Sequence, residues 1–175
     1  MQNLYERARS IRVAAFDVDG VLTDGALYYS DSGEEMKAFS VQDGHGLKML
    51  KDSGIAVAII TSRSSRLVEA RARNLGIDHL FQGAADKLAA FGQLLERCGV
   101  TASACAYAGD DLVDLPVLKR CGLAVTVPGA PALVRRHAHF VTRRGGGAGA
   151  VREMCELILH AQGTLATRQA EYAER

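Results

Sequence analysis

Short apolar runs alternate with stretches of helical periodicity along almost the whole 175-residue chain. The segments 12–16, 55–60, 79–82, 104–108, 123–127 and 138–142 are predicted to be strands. The run IAVAII at 55–60 is apolar throughout, which is typical of a strand buried on both faces. Two of the helical stretches stop at Gly76 and Gly99. This alternation predicts an α/β fold with a central, mostly parallel sheet flanked by helices.

Residues 26–30 and 35–40 predict the two arms of a β-hairpin, because the turn Asp31-Ser32-Gly33 between them suits a tight reversal. The polar segment that begins at Gly163 is predicted to be frayed. We therefore expect a single domain over residues 1–162, with a hairpin flap at about 25–40 and a C-terminal tail at 163–175.

Composition excludes several classes of protein. The chain has 21 Lys and Arg against 20 Asp and Glu, so it lacks the basic surface of a nucleic-acid binder. No apolar run reaches the ~18 residues of a membrane span, and the charged N-terminus does not predict a secretory signal. Four widely spaced cysteines predict free core thiols in a reducing compartment, the cytoplasm: Cys98, Cys105, Cys121 and Cys155.

Three polar clusters directly follow predicted strands. They are Asp17 with Asp19, Thr61 with Ser62 and Arg63, and Asp110 with Asp111. In open α/β sheets, ligands bind at the carboxyl ends of the strands, so we expect these clusters to meet in one place.

Acid pairs of this kind suit two kinds of chemistry. Asp17 and Asp19 can bind a hard cation through oxygen ligands, or act as a nucleophile beside an acid/base partner. A surface turn with capping acids is the alternative reading of both acidic clusters. Two buried acid clusters at one sheet edge repel each other unless a cation lies between them, which favours a metal.

Thr61 and Lys87 are candidate phosphate ligands. A hydroxyl at the start of a helix, with backbone N–H groups nearby, suits a phosphate, although Thr61 also fits a helix cap. Lys87 lies at the start of a predicted helix, where the dipole disfavours a cation unless an anion is bound. A solvated surface lysine is the alternative.

In order, the chain reads D-x-D, Thr, Lys and G-D-D-x-x-D, and this pattern resembles the phosphatases of the haloacid dehalogenase superfamily over residues 13–162. Longer segments are similar to the 3-deoxy-D-manno-octulosonate 8-phosphate phosphatases within it: DVDGVLTDG, GEEMKAFSVQDGHGLKML, IAVAIITSR, LGIDHLFQGAADK, YAGDDLVDLPVL and GGGAGAVREMCELILHAQG. Two positions depart from that family. The chain has TSR where TGR is typical, and Lys48 stands where arginine is typical, which replaces a bidentate contact by a point charge.

The resemblance implies a Rossmann-like fold without a cap domain, and Mg²⁺-dependent hydrolysis of 3-deoxy-D-manno-octulosonate 8-phosphate in lipopolysaccharide precursor synthesis. It implies that Asp17 is the nucleophile and Asp19 the general acid and base. Thr61 and Lys87 would stabilise the phosphate oxygens. Asp17, the backbone carbonyl of Asp19, and Asp110 would hold Mg²⁺, with Asp111 and Asp114 in supporting positions.

The same resemblance implies a set of substrate contacts: Asp19, Ser40, Val41, Gln42, Asp43, Gly44, Lys48, Arg63, Arg71 and Lys87. It also implies a homotetramer. The segments between the motifs leave no room for a cap domain, so we expect a neighbouring subunit to cover the site. The candidate contact is the hairpin, through Leu27, Tyr29, Met36 and Phe39. The glycine-rich run 145–149 is either a joint that lets the C-terminal segment reach a neighbouring site or a flexible surface loop.

Two other functions are compatible with parts of the pattern. A phosphatase of a nine-carbon, sialic-acid-type 9-phosphate would carry nearly identical motifs. A receiver-type signalling domain also places acids, Thr or Ser, and Lys around Mg²⁺ on a parallel sheet. In such a domain the acid pair precedes the phospho-acceptor, whereas here D-x-D comes first and G-D-D comes late, which argues against it.

Overall fold

Six parallel strands form the central sheet of the computed structural model, which describes residues 2–174. Along the chain they are β1 (Val13–Phe16), β4 (Ala56–Ile60), β5 (His79–Phe81), β6 (Cys105–Ala108), β7 (Leu123–Thr126) and β8 (Phe140–Val141). Their order across the sheet is β5-β4-β1-β6-β7-β8, and every neighbouring pair is parallel. The predicted α/β architecture is confirmed. From β1 the chain adds β4 and β5 on one side, and it then adds β6, β7 and β8 on the other side. Open α/β folds bind their ligands at such a switch point, here between β1 and β6.

Helices cover both faces of the sheet. They are α1 (Gln2–Arg9), α2 (Val41–Asp52), α3 (Arg66–Leu75), α4 (Lys87–Cys98), α5 (Leu115–Leu118), α6 (Ala132–His137), α7 (Ala150–Ala161) and α8 (Leu165–Ala173). Successive side chains of a strand point to opposite faces. Ala14 and Phe16 of β1 therefore pack in one core with α1, α2, α3 and α7. Val13 and Ala15 pack in a second core with α4, α5 and α6. The four central strands β4, β1, β6 and β7 are buried on both faces, which explains their apolar sequences.

The predicted hairpin is present between β1 and α2, with short strands β2 (Tyr28–Tyr29) and β3 (Glu35–Met36) paired antiparallel. The Gly33 amide donates to the Ser30 carbonyl across the turn. Leu27 and Met36 are about half exposed, whereas Phe39 packs against the core below. Phe39 was predicted to need a partner, and that prediction is wrong because the chain has already returned to the body of the molecule there. No inserted cap domain is found in residues 2–174.

The C-terminal segment is ordered as a helix, so the prediction of a frayed remainder after Gly163 is wrong. Leu165 packs against the core, and Arg168 Nε donates to Ser53 Oγ at 3.0 Å. Tyr172 lies edge-on against the His45 ring, with the ring centroids 4.6 Å apart. Arg168 and Tyr172 thus contact α2 and its C-terminus, more than 100 residues earlier, and local polarity does not reveal these contacts.

The four cysteines are free thiols, as predicted, and all except the half-buried Cys98 are buried. Within residues 2–174, every helix is too short or too polar to cross a lipid bilayer.

Candidate active site

A cavity of about 280 Å³ opens at the carboxyl ends of β1, β4 and β6. All three predicted polar clusters contribute to its lining, which consists of Asp17, Asp19, Gly25, Thr61, Ser62, Arg63, Lys87, Asp110, Asp111 and Val113. The expectation that these clusters meet at one sheet edge is confirmed.

Asp17 lies at the end of the interior strand β1, nearly buried, and its carboxylate is held from two sides. The Val18 amide donates to Oδ1 at 2.7 Å, and the Lys87 ammonium lies 2.9 Å from Oδ2. Burial, together with the nearby charge of Asp114, raises the pKa of Asp17 to about 7, although Lys87 acts in the opposite direction. A carboxylate that is ionised only at about neutral pH is typical of a functional site.

Lys87 is buried at the first position of α4, where it bridges two carboxylates. Its Nζ lies 2.7 Å from Asp114 Oδ1, in addition to its contact with Asp17. Burial lowers the pKa of Lys87, but the two carboxylates outweigh burial and the net shift is upward. The ammonium therefore stays charged next to the cavity, and the solvated-lysine alternative is excluded.

Asp114 is fully buried beneath the cavity and accepts four hydrogen bonds. Oδ1 accepts from Lys87 and from the Tyr107 hydroxyl at 2.6 Å, while Oδ2 accepts from the Asp110 and Asp111 amides at 3.0 and 3.1 Å. Asp114 thus fixes both Lys87 and the loop that carries Asp110. Sequence reasoning missed Tyr107, since a tyrosine inside an apolar strand gives no sign of a buried polar partner.

Asp19 points toward the hairpin. Its Oδ1 lies 2.5 Å from Lys37 Nζ, and its Oδ2 lies 3.8 Å from Arg63 Nε. Glu35 completes this ion-pair network with Lys37 at 3.3 Å and Arg63 at 3.1 Å. The Lys37 side chain is only 2% exposed. Lys37 was also missed, because only the folded hairpin brings it to the residue that follows β1.

The acidic residues of the cavity fit a divalent cation. Oxygens of Asp17, Asp110 and Asp114 lie within 4.8 Å of one another. Asp114 already has four donors, which leaves Asp17 and Asp110 as available carboxylates. Burial, with repulsion from Asp114, raises the pKa of Asp110 to about 6. A bound cation would relieve this repulsion, and carboxylates with a backbone carbonyl are ligands that Mg²⁺ prefers.

Thr61 lies at the end of β4 and is buried at the wall of the cavity. Its amide donates to the Phe81 carbonyl at 2.9 Å, and its own carbonyl accepts from Ala84 at 3.0 Å. These backbone bonds to the segment around β5 fix the residue beside Lys87 and Asp17.

Several of the predicted substrate contacts lie elsewhere in the subunit. Val41, Gly44, Lys48 and Arg71 line a separate opening of about 180 Å³ between α2 and α3. Arg71 Nη2 donates to the Ser40 carbonyl at 3.0 Å. No residue lines both this opening and the catalytic cavity.

Two further predicted contacts, Gln42 and Asp43, interact with the segment around the start of α7. Gln42 Oε1 accepts from Arg144 at 3.2 Å. Asp43 is 1% exposed, and its carboxylate accepts from the Gly149 amide at 3.2 Å and the Arg152 amide at 2.7 Å. Asp43 therefore caps α7 and does not line the catalytic cavity of its own subunit.

Comparisons with known proteins agree with this geometry. A family model described as haloacid dehalogenase-like hydrolase matches residues 44–122. The 3-deoxy-D-manno-octulosonate 8-phosphate phosphatase KdsC of Escherichia coli K12 is 51% identical over 159 residues, which cover 91% of this chain and 85% of that protein.

Two solved structures extend the comparison. One is the 3-deoxy-D-manno-octulosonate 8-phosphate phosphatase of Moraxella catarrhalis in complex with a magnesium ion, a phosphate ion and KDO. It has 47% identity and a TM-score of 0.96, covering 98% of this chain and 99% of that chain. The other, the cobalt-bound enzyme of Haemophilus influenzae, has 44% identity and a TM-score of 0.89, covering 91% and 94%. With such identity over nearly its whole length, this chain belongs to the 3-deoxy-D-manno-octulosonate 8-phosphate phosphatase family of haloacid dehalogenase-like hydrolases.

Proposed function

We propose that this chain is a Mg²⁺-dependent phosphoric monoester hydrolase that converts 3-deoxy-D-manno-octulosonate 8-phosphate to 3-deoxy-D-manno-octulosonate and inorganic phosphate, in lipopolysaccharide precursor synthesis. The observation that carries the proposal is the position of Asp17, whose carboxylate lies 2.9 Å from the Lys87 ammonium at the acidic cavity. Relatives named for this activity are 51% and 47% identical to the chain over the aligned residues.

In the proposed reaction Asp17 attacks the phosphorus atom, and the bond between phosphorus and the sugar oxygen breaks. The Val18 amide and Lys87 hold the attacking carboxylate before the substrate enters, which removes part of the entropic barrier. Lys87 and Thr61 stabilise the charge on the phosphate oxygens. Bound Mg²⁺ supplies Lewis-acid stabilisation of that charge.

Asp19 acts as general acid and then as general base. It donates a proton to the departing sugar oxygen, and later accepts a proton from the water that attacks the phosphoryl group on Asp17. That attack releases inorganic phosphate and restores Asp17. Lys37, 2.5 Å from Asp19 Oδ1, holds this carboxylate in place, and in the proposed cycle the other oxygen, Oδ2, exchanges the proton with the sugar oxygen.

The position of the second opening leads to a proposal about assembly. Lys48 and Arg71 line an opening that shares no residue with the catalytic cavity of their own subunit. We propose a homotetramer in which a neighbouring subunit supplies these cations to the carboxylate of the sugar acid. The hairpin offers exposed apolar surface for such contacts, at Leu27, Tyr28, Tyr29 and Met36.

The proposed compartment is the cytoplasm. The four cysteines are free thiols, and three of them are buried. Thiols that remain unpaired are the state expected in a reducing compartment.

Phosphate release from 3-deoxy-D-manno-octulosonate 8-phosphate tests the reaction, with a nine-carbon sialic-acid-type 9-phosphate and hexose phosphates as competitors, in Mg²⁺ and in EDTA. We expect Mg²⁺-dependent preference for the eight-carbon substrate. Preference for the nine-carbon substrate would contradict the substrate assignment while leaving the chemistry intact. Asp17→Asn should abolish turnover with the fold retained, and substantial residual activity would overturn the nucleophile assignment.

Subunit complementation tests the shared site. Asp17→Asn and Arg71→Ala chains carrying different tags are co-expressed, and mixed assemblies are purified by both tags. If the cations act across subunits, an intact Asp17 meets an intact Arg71 in some sites, and activity exceeds that of either variant alone. Activity no higher than the two parents would mean that Arg71 acts within its own subunit or not at all.

A further inference from the structure

The glycine-rich run 145–149 joins β8 to α7 and lies directly on the backbone that follows Asp19. The Gly147 amide donates to the Val21 carbonyl at 3.0 Å. A Cβ atom on Gly146 would lie 1.9 Å from the Gly20 carbonyl oxygen, and one on Gly147 would lie 2.8 Å from the backbone of Thr23. The two segments therefore touch backbone to backbone, which argues against the alternative of a flexible surface loop.

Both ends of this glycine loop are anchored by carboxylates. The Glu153 side chain accepts from the Arg143 and Arg144 amides at 2.9 and 3.0 Å. At the other end, Gly149 stands at the N-cap of α7 and has no side chain with which to cap it. The buried Asp43 carboxylate of α2 takes that role through the Gly149 and Arg152 amides. Because both ends of the loop are fixed, a shift of the loop displaces the segment that it contacts.

The segment that the loop touches is the turn between Asp19 and the hairpin. The Asp110 carboxylate also lies against this turn, so close that a Cβ on Gly20 would be 2.1 Å from it. The Thr23 hydroxyl ties this turn to the Val18 carbonyl and the Gly25 amide. The turn is thus in contact with both the proposed metal ligand Asp110 and the glycine loop.

We propose that the glycine loop, anchored by Asp43, is a positioning element that sets the distance between the Asp19 backbone carbonyl and the Asp110 carboxylate. The inference rests on the proposed function, because it assigns the loop a role toward the groups that would hold Mg²⁺. Groups that orient metal ligands from outside the coordination shell change metal affinity or activity by about 10–100-fold when they are altered. The loop would act in the same way through its backbone.

Gly146→Ala and Gly145→Ala form a matched pair that tests this proposal. Neither glycine has a positive φ, so alanine suits the backbone at both. A Cβ on Gly146 collides with Gly20, whereas a Cβ on Gly145 has nothing within 4 Å. The measurements are Mg²⁺ binding by calorimetry without substrate, kcat and KM for 3-deoxy-D-manno-octulosonate 8-phosphate, and the thermal midpoint.

We expect Gly146→Ala to weaken Mg²⁺ binding and lower kcat by about 10-fold or more, with the KM little changed and Gly145→Ala equal to wild type. Equal Mg²⁺ affinity and kcat in the two variants would overturn the proposal. If Gly146→Ala does not fold, Asp43→Asn replaces it, and we expect it to weaken Mg²⁺ binding in the absence of substrate. If Asp43 acted only by contacting the substrate, Asp43→Asn would leave substrate-free Mg²⁺ binding unchanged, and that result would also overturn the proposal. A wild-type protein that binds Mg²⁺ but does not hydrolyse the sugar phosphate would contradict the proposed function instead.

Discussion

Replacing Asp114 with asparagine tests whether one buried carboxylate holds the catalytic residues together. Four donors hydrogen-bond to the Asp114 carboxylate: the Lys87 ammonium and the Tyr107 hydroxyl at Oδ1, and the Asp110 and Asp111 amides at Oδ2. An asparagine has one oxygen and one NH₂ group. In either orientation its NH₂ faces the Lys87 ammonium or the two amides, so acceptor chemistry is lost while size is preserved.

The structure gives the magnitude of the loss. Each hydrogen bond to a charged group contributes about 1.5–3 kcal/mol, and removing one partner of a buried ion pair costs about 3–5 kcal/mol. Part of this is offset, because Asp114 repels Asp17 and Asp110. We expect the free energy of unfolding to fall by about 3 kcal/mol. In a chain of this length, that lowers the thermal midpoint by ~6–12 °C.

Thermal unfolding followed by circular dichroism, in EDTA and at one protein concentration, measures the effect. Tyr107→Phe removes one of the four donors and should lower the midpoint by a smaller amount. Asp111→Asn is the stability control, because that side chain is exposed and an asparagine still accepts from the Leu112 amide; we expect a change within about 0.5 kcal/mol. An Asp114→Asn protein as stable as Asp111→Asn would refute the reasoning.

Mg²⁺ binding should release more protons at pH 6 than at pH 8.5, because Asp17 has a pKa of about 7; calorimetry in buffers of different ionisation enthalpy measures this, and equal release would contradict it. Without metal, the folded state raises the pKa of Asp17 to about 7, so the free energy of unfolding falls as the pH rises from about 4 to 7. Urea unfolding in EDTA measures this fall. Lys37→Met should lower kcat by about 10–100-fold with a similar thermal midpoint, because Asp19 loses the ion pair that fixes its position. An unchanged kcat would show that this ion pair does not contribute to catalysis. Removing residues 163–175 should lower the free energy of unfolding by about 2 kcal/mol, through the lost contacts of Leu165 and Arg168.

The parts of the site that follow strands could be predicted from the sequence. Asp17, Thr61 and Asp110 each stand directly after an apolar run, and the rule for ligand binding in parallel sheets places them at one edge. The six strands were found from short segments that contain apolar residues and are followed by a polar residue, a glycine or a proline.

The residues that could not be predicted act through distant partners. Lys37 reaches Asp19 only because the hairpin folds back, and Tyr107 looks like an ordinary core residue of β6 until Asp114 is placed beneath it. Asp43 stands in the first turn of α2, where an acid suits that helix's own dipole. Its use as the cap of α7, 106 residues later, depends on the packing of two helices that no local pattern reveals.

The interior position of β1 governs the order in which a growing chain can assemble. This strand is the first to leave the ribosome, yet its two neighbours, β4 and β6, are synthesised much later. The hydrogen bond from the Asp17 amide to the Ala108 carbonyl cannot form until β6 has been synthesised. Likewise, α1 and α2 lack their contacts with α7 until α7 has been synthesised. A nascent chain that stops before α7 therefore leaves the sides of α1 and α2 that α7 covers exposed to solvent. A chaperone that shields this apolar surface can act until residues 150–161 emerge.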